Sequence, residues 1–149
     1  MQYLGFLVWL MYDSADKGEN KMGRIIAQVR ITNTLDPSHE IHCDAFVDTG
    51  AAPLVLPRAW RDRLGKLGTS YTEEFETADQ RTISGEVAGP VQIQIEGFRP
   101  IHNEVVFLDM EPIDGHYEPL LGYIILEQSK AAVDMVGHRL VPVKYIDLK

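Results

Sequence analysis

The hydrophobic positions of this chain recur with a period of two more often than with the helical period of 3.6. Apolar residues occupy every second position from 25 to 31 and again from 41 to 47, which is typical of half-buried strands. The sequence NTLDPS at 33–38 joins these segments and contains a proline and an aspartate suited to a turn. The two strands are therefore predicted to pair in an antiparallel manner.

Later segments continue this pattern of short strands separated by turns. Further strands are predicted at residues 71–78, 82–87, 91–95 and 105–108 and in a closing hairpin at 133–143. The sequence ADQR predicts the tip of one hairpin, and Gly89-Pro90 is expected to end its second strand. Short helices are expected after Pro57 and at 124–130. The chain is thus predicted to be mainly β, with one or two short helices.

Composition and charge limit the classes of function that this chain is expected to have. The chain has 149 residues, of which 45% are hydrophobic and 24% are charged, values that are ordinary for one globular domain. The formal net charge of −8 argues against a broad surface for nucleic acid. The longest apolar stretch, residues 3–12, is about half as long as a membrane-spanning helix requires. We therefore expect neither nucleic-acid binding nor a spanning membrane segment.

Residues 1–21 are expected to be an extension of a domain that spans 22–149. They lack the basic start and the small-residue cleavage site of a signal peptide, and a polar stretch precedes Met22. Three interpretations stay open: an upstream translation start, an extra strand or helix packed on the core, or a peripheral anchor. The missing export signal and the single cysteine, Cys43, favour the cytoplasm.

The sequence AFVDTGAAPLVLP at 45–57 carries the clearest candidate chemistry. Asp48 ends an apolar strand, where a carboxylate is costly unless it is hydrogen-bonded. Thr49 offers a hydroxyl beneath such a loop, and Gly50 offers an unusual φ or a backbone N–H close to the carboxylate. The alternative is a simple turn at the end of a strand, capped by Asp48.

A second sequence, PLLGYIILE at 119–127, follows about seventy residues later. Together the two segments resemble the retropepsin-like aspartic proteases, in particular bacterial members of that group. In that family two apolar residues and a glycine form a strand behind the catalytic loop and lead into a helix. The segment ETADQRTISGEVAGPVQIQI resembles the family's flap hairpin and the strand after it, and 131–143 resembles its closing hairpin. The resemblance covers residues 22–143 and implies a single-domain closed β-barrel.

The resemblance also implies a function, that of an aspartic endopeptidase acting as a homodimer on an extended peptide or protein substrate. Its catalytic residues would be Asp48, Thr49 and Gly50, with one Asp48 supplied by each copy. The residues expected to contact substrate are Ala51, Ala78, Asp79, Ile83, Ser84 and Gly85. Gln80 departs from the glycine that many bacterial relatives carry at the flap, so Gly85 is an alternative flap tip.

Other readings of the same residues remain open at this point. The fold could form a dimeric peptide-binding or assembly module without catalysis, or a small β-barrel in which D-T-G is only a turn. No cofactor or metal is expected, because the histidines of H-E-I-H, His39 and His42, read as a solvated pair. The apolar Leu54, Val55, Ile83 and Leu121 could line substrate pockets, although the core is the favoured place for them.

Overall fold

The computed structural model describes residues 24–77 and 79–144. The first two strands are β1, Ile26–Asn33, and β2, Glu40–Val47, and they pair antiparallel as predicted. Along β1 the residues at alternate positions are buried and exposed in turn, which confirms the period-two pattern. The side chain of Asn33 stabilises the turn that follows, since its Oδ1 accepts the backbone N–H of Leu35 at 2.9 Å.

The remaining strands are short and lie mostly where the sequence predicts them. They are β3 Leu54–Pro57, β4 Thr69–Glu76, β5 Thr82–Ile95, β6 Ile101–Leu108, β7 Leu120–Leu121, β8 Ala131–Asp134 and β9 Arg139–Pro142. Within the described residues a 3-10 helix spans Arg58–Leu64 and an α-helix, α1, spans Tyr123–Gln128. The prediction of a mainly β chain with one or two short helices is confirmed.

In the part of the chain that the structure describes, seven strands form one sheet in the order β1-β2-β7-β3-β6-β5-β4, and β1 also pairs with β5. Strands β8 and β9 form a separate antiparallel hairpin, as expected. The two-residue strand β7 lies between β2 and β3, so the end of β2 is held from the side by a segment more than seventy residues away in sequence. Across 24–77 and 79–144, no helix is long and apolar enough to cross a membrane.

Strand β5 corrects two expectations. Gly89-Pro90 does not end the strand, because β5 runs through it with a shift of register against β6 between Ala88 and Val91. A proline that cannot donate to the ladder is tolerated at such an irregularity. Gly85 is not the hairpin tip, because it pairs with Glu73 inside the β4–β5 ladder. The tip is the turn from Thr77 to Arg81, where the Gln80 N–H donates to the Thr77 carbonyl at 2.9 Å.

Among residues 24–77 and 79–144, the buried side chains of the core form two clusters. The larger one lies beneath β1, β2, β5 and β6 and includes Ile31, Ile41, Ile93 and Phe107. The smaller one joins parts of the chain that are distant in sequence, with Ala51, Val55, Phe75, Val87, Val106, Leu108 and Leu120 as its buried members. Ala51 comes from the loop after β2, and Phe75 comes from the β4–β5 hairpin. The smaller cluster therefore packs the D-T-G-A loop against the β4–β5 hairpin.

Candidate active site

Strand β2 delivers Asp48 to a loop in which its carboxylate is almost fully enclosed. Asp48 is only 4% exposed. The backbone N–H of Gly50 donates to Asp48 Oδ1 at 2.8 Å, as the sequence predicts, and the Ala51 N–H donates to the Asp48 carbonyl oxygen at 3.1 Å. The other carboxylate oxygen, Oδ2, is buried and has no hydrogen-bond partner within the described ranges. A buried polar atom without a hydrogen-bond partner is rare in folded proteins and calls for an explanation beyond packing.

The surroundings of Asp48 favour its neutral form. Burial raises the pKa of the carboxyl group, and the backbone hydrogen bonds from Gly50 and Ala51 offset part of that increase. A carboxyl group whose pKa is raised in this way can act as an acid under conditions where an exposed aspartate is already ionised.

Strand β7 crosses behind this loop. The backbone N–H of Asp48 donates to the Leu121 carbonyl at 3.0 Å, and the N–H of Phe46 donates to the Pro119 carbonyl at 2.8 Å. Leu121 pairs with Val47 in parallel and with Leu54 in antiparallel. The strand behind the loop that the family resemblance implies is therefore present.

Helix α1 anchors the far side of the loop through its N-terminal N–H groups, which have no partners inside the helix. Tyr123 donates to the Ala51 carbonyl at 2.7 Å, and Ile124 donates to the Ala52 carbonyl at 3.2 Å. Gly122 donates to the Pro53 carbonyl at 3.0 Å. The approach is so close that a Cβ on Gly122 would lie 2.3 Å from the Ala52 oxygen. A glycine is required there because two backbones meet, and its φ of −83° is ordinary.

Thr49 and Gly50 complete the D-T-G sequence. Thr49 is exposed, and within the described ranges its hydroxyl makes no hydrogen bond, so the expected contact beneath its own loop is not present. Gly50 is not among the glycines with positive φ, which are Gly65, Gly97 and Gly115. Of the two uses that the sequence left open for Gly50, the loop therefore uses its N–H and not a left-handed backbone.

The turn of the β4–β5 hairpin holds the second carboxylate that the sequence singles out. Asp79 Oδ2 accepts the Nε–H of Arg81 at 2.5 Å, and Asp79 Oδ1 accepts the hydroxyl of Thr77. These hydrogen bonds, that of Thr77 first, hold the pKa of Asp79 below its usual value. Asp79 thus serves the turn itself, and its predicted contact with substrate stays a prediction.

The other residues predicted to bind substrate occupy different environments. Ala78 lies outside the described residues. Ile83 packs at the edge of the smaller cluster, and Ser84 is exposed, with its carbonyl accepting the guanidinium of Arg58 at 3.0 Å. Gly85 is buried, and a Cβ there would lie 2.6 Å from Leu108 Cδ2.

The four apolar residues that could line substrate pockets also differ in their burial. Leu54, Val55 and Leu121 are at most 1% exposed and belong to the core, which was the favoured interpretation, whereas Ile83 is only half-buried. Burial raises the pKa of the Cys43 thiol to about 12, in keeping with a packing role for this residue.

One feature beside the loop carries no signal in the sequence. Arg24 forms an ion pair with Glu118, 94 positions away, and its guanidinium lies 5.2 Å from the centre of the Phe46 ring. Phe46 precedes Asp48 by two residues, so this pair covers the strand that enters the loop.

Within 24–77 and 79–144, no three side chains of His, Cys, Asp or Glu are grouped as metal ligands. His39 and His42 contact Asp36 and Glu40, respectively.

Comparison with known proteins agrees with this geometry. A family model described as "Aspartyl protease" matches residues 27–123, a range that contains Asp48, β7 and Gly122. No curated protein matches the chain. Among solved structures, EIAV protease in complex with the inhibitor HBY-793 is 24% identical, with a TM-score of 0.53. That match covers 84% of this chain and 99% of the other, and it establishes the fold alone.

Proposed function

This chain belongs to the aspartyl protease family, and we propose that it is an aspartic endopeptidase that acts as a homodimer. The observation that carries the proposal is Asp48 itself. Asp48 is 4% exposed, its Oδ1 accepts the Gly50 N–H at 2.8 Å, and its Oδ2 has no partner in the described part of the chain. The structural match supports the fold in which such a loop is used.

The chemistry calls for a second carboxylate, which this chain does not provide by itself. One acid must be ionised to take a proton from water, and the other must be protonated to polarise the scissile carbonyl. Aspartic proteases are the standard example of two neighbouring carboxyl groups that cannot both ionise. A twofold axis beside Asp48 supplies the second group from an identical copy.

In this mechanism the ionised Asp48 takes a proton from a water molecule, whose oxygen forms a bond to the carbonyl carbon of the substrate. The protonated Asp48 of the other copy donates its proton to the carbonyl oxygen. The first Asp48, now protonated, then donates its proton to the leaving nitrogen, while the Asp48 of the other copy, now ionised, takes a proton from one hydroxyl of the tetrahedral intermediate. The C–N bond breaks, a carboxylic acid and an amine result, and the pair again holds one proton. The raised pKa of Asp48 favours the protonated partner of the pair.

The remaining residues have supporting roles in the proposal. The hydroxyl of Thr49 is exposed and free to bond across the axis, and Gly50 orients the carboxylate through its N–H. Ala51 supports the loop from the smaller cluster. The hairpin that carries Ala78, Asp79, Ile83, Ser84 and Gly85 would cover an extended peptide or protein substrate.

The proposal also covers the closed barrel, the domain boundaries and the cellular location of the enzyme. The pairing of β1 with both β2 and β5 supports a sheet that closes into a barrel. We assign the domain to residues 22–149, with 1–21 as an extension. The single cysteine supports a cytoplasmic location, and the family resemblance supports a bacterial enzyme.

Cleavage of a diverse peptide mixture, followed by mass spectrometry from acidic to neutral pH, tests the function. We expect Asp48→Asn to reduce cleavage by at least about 10³-fold, because the general acid and base are lost together. Asp44→Asn is the matched control, since Asp44 is exposed on the same strand. Cuts that persist in Asp48→Asn would refute the proposal. A wild-type dimer that makes no cuts would favour a non-catalytic peptide-binding or assembly module.

A further inference from the structure

We propose that Arg61 is a positioning residue that fixes the β4–β5 hairpin at the point where the hairpin leaves the sheet. The inference rests on the proposed function, in which this hairpin covers the substrate, and it names the side chain that sets how firmly the hairpin is held. Counted from the turn of the hairpin, the first residue of β5 that pairs with β6 is Glu86, opposite Phe107. Arg61 contacts both members of that pair.

The register of the ladders defines where the hairpin separates from the rest of the sheet. At Glu86, Val87 and Ala88, strand β5 pairs with β4 on one side and with β6 on the other. Among the described residues, 82–85 pair with β4 alone, and β4 is the last strand of the sheet. Residues 73–77 and 79–85 are named the outer hairpin below. An opening motion of the outer hairpin therefore turns about Glu86.

Arg61 makes three contacts at this junction from one side chain. Its Nε–H donates to the Glu86 carboxylate, and its guanidinium carbon lies 5.6 Å from the centre of the Phe107 ring. Its Nη1–H donates to the Gly65 carbonyl at 2.8 Å, which connects the same side chain to the end of the 3-10 helix. The side chains of Arg61 and Glu86 are 22% and 32% exposed, so water and salt screen this ion pair less than a pair on the open surface.

Arg58 adds a second, weaker attachment closer to the turn. Side chains three residues apart in a 3-10 helix lie on one side, about 6 Å apart along the axis, which is close to the roughly 7 Å between alternate residues of a strand. Arg58 accordingly donates to the Ser84 carbonyl at 3.0 Å, while Arg61 reaches Glu86. The Arg58 side chain is 44% exposed, and its other partner, Asp109, is 82% exposed. Arg61 is therefore the main polar attachment of the hairpin to the 3-10 helix.

The apolar contacts of the outer hairpin hold it against the core but do not fix its angle. Phe75 is buried in the smaller cluster, and Ile83 packs at the edge of that cluster. Gly85, next to the junction, approaches β6 so closely that a Cβ would lie 2.6 Å from Leu108 Cδ2. Apolar attraction is non-directional, whereas hydrogen bonds weaken steeply when their geometry changes. The directional contacts of Arg61 therefore define the angle at which the hairpin leaves the sheet.

Loss of these contacts should lower the fraction of molecules whose hairpin is in the closed position. The apparent affinity for substrate falls by the same fraction, whereas a complex that has closed keeps the same Asp48 loop. We expect Arg61→Gln to raise KM about tenfold and to change kcat by less than about twofold. Arg61→Lys keeps the charge but loses the planar guanidinium, so its KM should lie between those of Arg61→Gln and the wild type.

Hydrogen–deuterium exchange of the full chain tests the inference without any substrate. In Arg61→Gln the backbone amides of the outer hairpin should exchange at least about tenfold faster, while those of β1 and β2 keep their wild-type rates. Glu86→Gln should have the same effect, and combining it with Arg61→Gln should add little, because both substitutions remove one contact. Arg63→Gln is the matched control and should change neither exchange nor KM. Arg63 lies on the same 3-10 helix, but its guanidinium carbon lies 4.8 Å from the centre of the Trp60 ring.

The outcomes separate this inference from the function on which it rests. Unchanged exchange of the outer hairpin in Arg61→Gln, or equally faster exchange in β1 and β2, would overturn the role of Arg61, and Asp48-dependent cleavage would leave the function standing. A fall in kcat at unchanged KM would overturn it as well, as would an equal effect of Arg63→Gln. If the wild type makes no Asp48-dependent cuts, the proposed function fails and exchange alone decides on Arg61. If Arg61→Gln does not fold, Arg61→Lys and Glu86→Gln provide the same comparison.

Discussion

Asp48 and Asp79 are the same amino acid in two opposite settings. Asp48 is 4% exposed, takes a backbone N–H on one oxygen and leaves the other without a partner in the described ranges. Asp79 is exposed, and both of its oxygens are engaged, one by Thr77 and one by Arg81. The pKa is raised for Asp48 by burial and lowered for Asp79 by hydrogen bonds.

The difference separates a carboxylate that has one unused oxygen from a carboxylate whose two oxygens both serve a turn. Both oxygens of Asp79 accept hydrogen bonds within its own turn, one from Thr77 and one from Arg81. Asp48 Oδ2 has no partner in the described ranges, and an unused carboxylate oxygen suits the acid–base role proposed above. The loop that carries Asp48 is fixed by hydrogen bonds to backbone groups of β7 and α1. Backbone groups within strands and helices cannot rotate away as side chains can.

Among substitutions that leave Asp48 itself in place, the largest effect is expected from disturbing its support through Gly122→Ala. The added Cβ would lie 2.3 Å from the Ala52 oxygen, and neither backbone can move without shifting the loop. We expect a loss of about 3 kcal/mol or more in the free energy of unfolding. We also expect roughly a 100-fold fall in cleavage rate where the protein still folds. Urea denaturation and peptide cleavage measure the two effects.

Gly115→Ala is the control for this substitution. A Cβ on Gly115 meets nothing within 4 Å, although its φ of +78° makes an alanine strained. Cleavage should therefore survive in Gly115→Ala even if some stability is lost. Equal loss of activity in the two variants would mean that the contact at Gly122 is not what positions Asp48.

A smaller effect is expected on the pH dependence of stability. Because the pKa of Asp48 is raised in the folded protein, the native state binds more protons than the unfolded state between 3.8 and the raised value. Stability contributed by this residue is thus lost as pH rises through that window and stays lost above it. Asp48→Asn removes the buried charge, so it should unfold at a higher temperature than the wild type at neutral pH.

Thermal unfolding of both proteins from acidic to neutral pH measures this effect, with about 2–4 °C expected for each kcal/mol recovered. The two unfolding temperatures should converge below pH 3.8, where the wild-type carboxyl is also neutral. A difference that is constant with pH would show that burial of the charge is not its cause.

The smallest effect concerns Asp79, whose lowered pKa implies the opposite pH dependence. Its contribution to stability is present above 3.8 and is lost as pH falls through the lowered folded value. In an NMR titration its carboxyl should therefore have a midpoint below 3.8, and Thr77→Val should raise that midpoint more than Arg81→Gln does. Asp48 should titrate above 3.8 in the same experiment. Midpoints in the reverse order would overturn the comparison.

Local chemistry in the sequence determined much of this protein. The alternation of apolar residues predicted β1 and β2, because a strand with one buried face leaves that pattern directly in the chain. The sequence singled out Asp48 because a carboxylate at the end of an apolar strand is costly to bury unless it is hydrogen-bonded. The hydrogen bond from the Gly50 N–H to the Asp48 carboxylate was also predictable, since Gly50 and Asp48 are only two positions apart.

Other features were decided only by the tertiary structure, because they depend on segments that meet across long stretches of chain. The passage of β5 through Gly89-Pro90 depends on its ladders with β4 and β6, and these override the local signal for a turn. The ion pair of Arg24 and Glu118 joins residues 94 positions apart. The sequence contained Gly122 in a recognisable setting, but its contact with Ala52 exists only once α1 is packed on the loop. Distance along the chain is thus the physical boundary between what could be predicted and what had to be observed.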